Sequence, residues 1–268
     1  MSKQQSKKYY TILKNLGVFK YLTLYQMVAI GIVNSINNLY PEISQLVKDG
    51  YVYKKSERGK KAMYYLTKKG ARITERMFEF PVRFPKSNHE PDKMFQDYQH
   101  KIAIVDAHIA ISKFDVLRCY TEFDYSGSQR THDLQEVTRI YYDDEQYIIP
   151  DLIFELQTQK RKEFYIVEVE TGSRQHIKQK LERSNKLEVY AELYDTWTVY
   201  DQFDLDGSRP YKVLYIFEDP KSIKYTIHLG RSKKFNEWRD KFLFKSFDDD
   251  FFDGWTSMEG KRRMLFYE

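Results

Sequence analysis

Three carboxylates near the middle of the chain have the spacing that metal-assisted chemistry needs. In "IIPDLIFEL", Asp151 follows Pro150 at the head of an apolar run, and in "FYIVEVETG", Glu168 and Glu170 flank Val169 in a second run. Read as strands, the two-residue period puts Glu168 and Glu170 on one face, with Asp151 at the same sheet edge. Like charges gathered in this way repel one another unless something neutralises them. A hard divalent cation with oxygen ligands is the simplest candidate; Mg2+ suits, and Mn2+ would substitute. Asp151, Glu168 and Glu170 are therefore the expected metal ligands. The competing reading is a pair of solvated strands whose acids pair with neighbours such as Arg161 or Lys162.

A second group of residues has the opposite sign. Lys54, Lys55, Arg58, Lys60 and Lys61 crowd one predicted hairpin, where phosphates would relieve their repulsion. Just before it, Asn37, Asn38, Gln45 and Lys48 lie on a predicted helix, and amide side chains can pair bidentately with adenine. Helix capping and solvation are the plainer roles for those amides. The charge of the whole chain follows the same division. Residues 1 to 90 hold 17 basic and 6 acidic residues, and the remainder holds 27 and 33, so an overall +5 conceals +11 joined to −6. A positive face for a polyanion and carboxylates gathered elsewhere suit separate tasks.

Composition limits the alternatives. At 268 residues, with 41% hydrophobic and 31% charged residues, the chain can build two cores and is not a low-complexity polymer. Its one cysteine, Cys119, rules out an internal disulfide and a cysteine-built zinc site, and fits a reducing compartment. The longest apolar run, Met27 to Val33, is far below the ~20 residues of a membrane span, and the polar start "MSKQQSKKYY" does not read as a signal peptide. A cytoplasmic protein without a membrane partner is expected.

The elements that must position these groups can be read from periodicity. Tyr10 and Leu13, then Leu22 to Ile30, predict two helices separated near Gly17, and Ile36, Leu39, Ile43, Leu46 and Val47 predict a third. Pro41 fits that third helix if Asn37 or Asn38 caps it, because it then falls in the first turn. A hairpin follows, from Tyr51 to Tyr53 and from Ala62 to Leu66, and then a helix capped by Thr67. Residues 79–93 carry three of the seven prolines and no period, and read as a linker between domains at 1–78 and 94–268. Beyond it the pattern predicts one helix from Phe95 to about Ser112. Strands are expected at 116–123, 136–142, 151–155 and 163–169, then a helix at 175–193, a strand at 211–219 and a short helix near 220–228. The acidic run Asp248 to Asp250 reads as a solvated turn.

The run "SINNLYPEISQLVKDGYVYKKSERGKKAMYYLTKKG" resembles winged helix-turn-helix domains. The resemblance implies that the helix near 37–48 enters the major groove of double-stranded DNA and that Ser56 to Lys61 form a wing along the backbone. Winged helices often dimerise, so a homodimer is one expected state. Pro150-Asp151 and Glu168 resemble the PD-(D/E)xK nuclease fold, with Glu170 standing where that pattern has lysine. Thr171-Gly172 and Lys186-Leu187-Glu188-Val189-Tyr190 resemble the next element of its exonuclease branch. On that resemblance Lys186, or second Lys180, supplies the missing ammonium, Tyr190 hydrogen-bonds a phosphate or positions Lys186, and Glu170 ligates the ion or takes the water's proton. Asp106 or His100 could add a contact. The expected class is thus α+β or α/β in two domains, with a mixed sheet flanked by helices in the second.

The whole arrangement is similar to the replication-relaxation family of mobile elements, over roughly residues 5 to 220. That implies a plasmid, phage or integrative-element protein acting in DNA replication or transfer, alongside replication or transfer proteins. Two readings follow: a Mg2+-dependent DNA endonuclease, or a non-enzymatic origin-binding or regulatory protein that keeps a nuclease-like fold as scaffold.

Overall fold

The structure is a computed structural model that describes residues 3–79, 82–87, 89–126, 135–143, 146–158, 161–206, 211–231, 238–247, 251 and 253–265. Asp248 to Asp250 lie outside the described residues. The chain forms two compact units, Met1–Ile109 and Ala110–Glu268.

The first unit opens with α1 (Lys3–Phe19), β1 (Leu22–Thr23), α2 (Leu24–Ala29), α3 (Ile36–Lys48), β2 (Val52–Lys55), β3 (Met63–Leu66) and α4 (Lys68–Phe78). It continues through α5 (Glu90–Gln96) and most of α6 (Tyr98–Ile111). Its sheet has the order β1-β3-β2 and is antiparallel throughout. Leu13, Leu39, Ile43 and Leu46 are buried as the helical spacing anticipates, whereas Tyr10 is exposed and Ile12 and Leu16 fill the core beside Met63 and Leu66 of the sheet.

Gly17 does not interrupt the first helix. A Cβ there would lie 3.1 Å from Val82 Cγ1 and 3.3 Å from Thr74 Cγ2, so the glycine permits close packing inside α1. Helix α3 begins two or three residues earlier than Asn37 or Asn38 capping would require. Ser35 is its cap, with the Asn38 N–H donating to Ser35 Oγ at 3.4 Å. Pro41 is therefore the sixth helical residue, in the second turn, where it removes the bond to the Asn37 carbonyl. With a proline inside it, α3 depends more on its cap. Ser35→Ala is expected to destabilise the protein by about 1 kcal/mol, read as a lower urea midpoint at unchanged slope.

Within residues 79–93, Val82 is buried, the Arg83 N–H donates to the Gly17 carbonyl at 2.8 Å, and the Arg83 guanidinium donates to the Val18 carbonyl at 2.5 Å. The expected single helix from Phe95 is two helices, because Asp97 leaves helical geometry (φ −126°, ψ 55°) between α5 and α6.

The second unit contains β4 (Val116–Thr121), β5 (Tyr125–Ser126), β6 (Gln135–Glu136), β7 (Ile140–Tyr141), β8 (Tyr147–Ile148), β9 (Leu152–Gln157) and β10 (Lys162–Glu170). After them come α7 (Arg174–Ser184), α8 (Lys186–Tyr194), α9 (Thr198–Phe203), β11 (Lys212–Phe217), α10 (Lys221–Gly230), β12 (Phe242–Ser246), β13 (Trp255–Ser257) and β14 (Arg262–Arg263). The expected 136–142 strand is the two fragments β6 and β7, and β12 to β14 were not anticipated. Seven strands form one mixed sheet in the order β14-β13-β12-β11-β10-β9-β4. Strands β10, β11 and β12 run parallel, joined by helical crossovers, while β4 and β9 on one side and β13 and β14 on the other are antiparallel. The chain is thus a mixed α and β protein with helices against a mixed sheet. Ile166, Tyr215, Phe217 and Phe244 from the strands form one core with Ile177, Leu181, Leu187, Tyr190, Val199 and Ile227 from the helices.

Candidate functional site: a buried carboxylate and lysine cluster

The parallel pairing of β10 with β11 fixes the cluster. Phe164 and Ile166 face the helices, and the same two-residue alternation carries Glu168 and Glu170 to that side. Antiparallel pairing of Val167 with Leu152 brings Asp151, one residue before β9, beside them. Asp151 Oδ2 accepts the Val169 N–H at 2.7 Å. All three acids are almost completely enclosed: Asp151 is 5% exposed, and Glu168 and Glu170 are 0%. That excludes the solvated-strand reading, and Arg161 instead pairs with Glu163 at 2.6 Å.

The helical crossover supplies the counter-charges. Lys186 Nζ lies 2.6 Å from Glu168 Oε2, and the Tyr190 hydroxyl donates to Glu168 Oε1 at 2.5 Å. Lys180 Nζ lies 2.8 Å from Glu170 Oε2. Both ammoniums come from one predicted helical stretch because that stretch is two helices. Asn185 adopts the left-handed conformation (φ 48°, ψ 17°), ending α7 and starting α8.

Two lysines against three carboxylates leave one formal negative charge. Burial pushes Glu168 up to about 7; Lys186 opposes this, while Asp151 and Glu170 reinforce it. Burial alone would lower Lys186, but Glu168, Asp151 and Glu170 together outweigh it and raise its pKa. Lys180 is raised in the same way, chiefly by Glu170 once the opposing effect of burial is overcome. Burial and the adjacent Glu168 raise Tyr190 well above the ordinary phenol range, so its hydroxyl remains a donor.

The cluster also holds unsatisfied polar atoms. Among the described residues, Glu170 Oε1 and the Tyr215 hydroxyl are both buried without a hydrogen-bond partner. Tyr215 sits beside Glu168 in the register of β10 and β11, and burial together with Glu168, Glu170 and Asp151 raises its pKa. The residual negative charge and the orphaned carboxylate oxygen fit a hard divalent cation.

The sequence profile of the replication-relaxation family matches residues 13–203 of the chain. This protein belongs to the replication-relaxation family. No curated protein and no solved structure matches it. The family match takes in Asp151, Glu168, Glu170, Lys180, Lys186 and Tyr190, and stops before β11 and α10.

In this replication-relaxation protein the expected nucleic-acid residues fall into two sets. Asn37, Asn38 and Lys48 are exposed on α3, and Lys54, Arg58 and Lys61 are exposed on or beside the β2–β3 hairpin. The others are engaged within the first unit. Gln45 Nε2 donates to Asp49 Oδ1 at 2.8 Å, Lys55 pairs with Asp92, and Lys60 donates to Glu57 Oε2 at 3.0 Å and to the Phe95 carbonyl at 2.5 Å. The one-signed crowding of the hairpin is thus partly relieved from inside the protein, without phosphate. Lys61 sits 4.1 Å over the exposed Tyr25 ring. Asp106, offered as an extra contact, accepts Gln26 Nε2 at 2.9 Å.

Two members of the cluster escaped the sequence reading. Tyr215 was hidden inside an apolar strand whose parallel partner could not be read locally. Glu122 follows β4, and its carboxylate comes within 4.8 Å of that of Asp151. The signal for Glu122 is the antiparallel pairing of Thr121 with Leu152, a register that emerges only once the sheet is known.

Proposed function

We propose that the chain is a DNA-binding protein of a plasmid, phage or integrative element that acts in DNA replication or transfer, and that its second unit is a Mg2+- or Mn2+-dependent DNA endonuclease of the PD-(D/E)xK kind. The observation that carries the proposal is the enclosed Asp151, Glu168 and Glu170 set, held by Lys186 and Lys180 with one carboxylate oxygen unsatisfied. The helix, helix, hairpin order of the first unit, with Asn37, Asn38, Lys48, Lys54, Arg58 and Lys61 exposed, supports duplex DNA as its partner through a winged-helix mode.

Asp151, Glu168 and Glu170 would hold the cation, which supplies polarisation of the phosphate and a bound water of lowered pKa. The residues of the chain perform the remaining tasks. The Val169 N–H keeps Asp151 aimed into the cluster, and Tyr190 fixes the Glu168 carboxylate while Lys186 holds its other oxygen. Lys186 offsets negative charge that develops on the phosphate. With Lys180 on its other oxygen, Glu170 would present Oε1 to the cation.

One observation favours the second reading, a non-enzymatic origin-binding or regulatory protein. Glu168 and Glu170 each already have an ammonium of the chain against them. Incubation with supercoiled plasmid and linear duplex in Mg2+ or Mn2+ separates the two. Nicking by the native protein is expected, with a loss of at least about 100-fold in Asp151→Asn, whose amide oxygen can still accept from Val169. A native protein that binds DNA but leaves it intact would establish the regulatory reading.

A further inference from the structure

The basic residues of the second unit are not scattered. Residues 174–187 hold five basic residues and one acidic, and residues 220–234 hold five and none, although residues 91–268 as a whole have an excess of acids. The fold packs the helices of these segments, α7 and α10, side by side.

Among the residues of this helix pair whose side chains are described, the charged ones on its outer side are basic. On α10, Lys221, Lys224, His228 and Arg231, just past its end, are spaced by three, four and three residues and are all exposed, while Ser222, Thr226, Ile227 and Gly230 are buried beneath them. On α7, Gln175, Lys178 and Gln179 are exposed and Ile177 and Leu181 are buried, with Lys178 Nζ 5.4 Å over the Tyr225 ring of α10. The acids nearest the start of α10 are engaged locally. Glu218 Oε2 accepts the Gly172 N–H at 2.8 Å, and Asp219 Oδ1 accepts the Lys221 N–H at 3.0 Å.

We propose that the outer face of α7 and α10, carrying Lys178, Lys221 and Lys224, is a second DNA-binding surface that grips the phosphate backbone of a duplex independently of the first unit. It rests on the reading of this chain as a DNA-binding protein, not on cleavage. A row of cations at helical spacing with amide side chains beside it offers phosphate contacts without base readout. The same helix that presents Lys178 outward sends Lys180 inward to Glu170, so a backbone held on this face lies beside the carboxylate cluster.

The test uses the full chain with Lys178→Gln, Lys221→Gln and Lys224→Gln combined. A second variant combines Lys54→Gln, Arg58→Gln and Lys61→Gln. Affinity for a fluorescent 30-base-pair duplex is followed by anisotropy from 50 to 200 mM KCl. The helix variant is expected to bind about tenfold or more weakly at 50 mM, with the slope of log K against log salt reduced by about 2.7 for three lost contacts. The urea midpoint, unchanged by substitutions of exposed residues, verifies folding. Placing the same three substitutions in Asp151→Asn should give the same loss, so an inactive nuclease leaves the inference intact. If the hairpin variant binds normally while the helix variant does not, this surface stands and the winged-helix reading falls. Affinity within twofold of native at an unchanged slope overturns the proposal. So does an equal loss of binding to poly-glutamate, which would identify an acidic protein as the partner.

Discussion

Lys186→Met should lower the unfolding free energy of the second unit by about 3–5 kcal/mol at pH 8, because it leaves Glu168 enclosed beside Asp151 and Glu170 without its counter-ion. Adding Glu168→Gln should recover most of that loss, since a neutral amide can keep the Tyr190 hydroxyl as donor and removes the uncompensated charge. The pH dependence tests the same point. Glu168 has a folded pKa of about 7 against a usual 4.5, so the folded protein binds the extra proton. Stability from this group is fully present below about 4.5 and is lost as the pH rises through about 7. Loss of Lys186 extends that decline to higher pH, and the penalty of the methionine variant should shrink on acidification. All three tryptophans, Trp197, Trp238 and Trp255, lie in the second unit, so urea unfolding followed by tryptophan fluorescence at pH 6 and pH 8 reads it directly. A penalty below about 1 kcal/mol at both pH values would show that Lys186 and Glu168 do not form a buried pair.

The first unit should respond to acid in the opposite sense. His108 is buried on α6 with its ring 4.7 Å from that of Phe19, and burial, aided by the Arg83 charge, pushes its pKa down to about 3. The unfolded chain takes up a proton near 6.5 while the folded chain does not. Stability therefore falls as pH drops from about 6.5 toward about 3, by about 1.4 kcal/mol per unit. His108→Phe keeps an aromatic ring and removes the titration. Between pH 7 and pH 5 the native protein should lose about 2 kcal/mol relative to this variant. Segment-resolved hydrogen exchange of α1 and α6, corrected for intrinsic rates, measures the difference, and parallel pH slopes in the two proteins would show that His108 is charged in the fold.

The parts of the site legible in the sequence were those fixed by local pattern. Asp151 after Pro150 and the Glu168–Glu170 alternation needed only the strand period, and Lys186, Tyr190 and Lys180 came from the nuclease resemblance. Three features depended on pairing between distant segments and stayed hidden: Glu122 beside Asp151, Tyr215 beside Glu168, and the strands β12 to β14. Lys245 illustrates the difficulty. A lysine in "FLFKS" argues against an enclosed strand, yet it is 2% exposed because its ammonium donates to the Asp253 carbonyl. Gly17 misled in the other direction. A glycine in a helical pattern reads as a stop, whereas here a close neighbour, Val82, requires the missing side chain. Lys55 and Lys60 show that charge density alone does not separate ligand-facing residues from those bound to Asp92 and Glu57.

The left-handed residue Asn185 has a wider consequence. In one unbroken helix, positions 180 and 186 would be about 600° apart around the axis, so two side chains aimed at neighbouring residues of a strand would diverge. The joint frees each cationic arm from the other's angular phase. Changes that rotate α8 can retune the Glu168 partner while α7 keeps its hold on Glu170, and the two halves of the charge balance can vary separately.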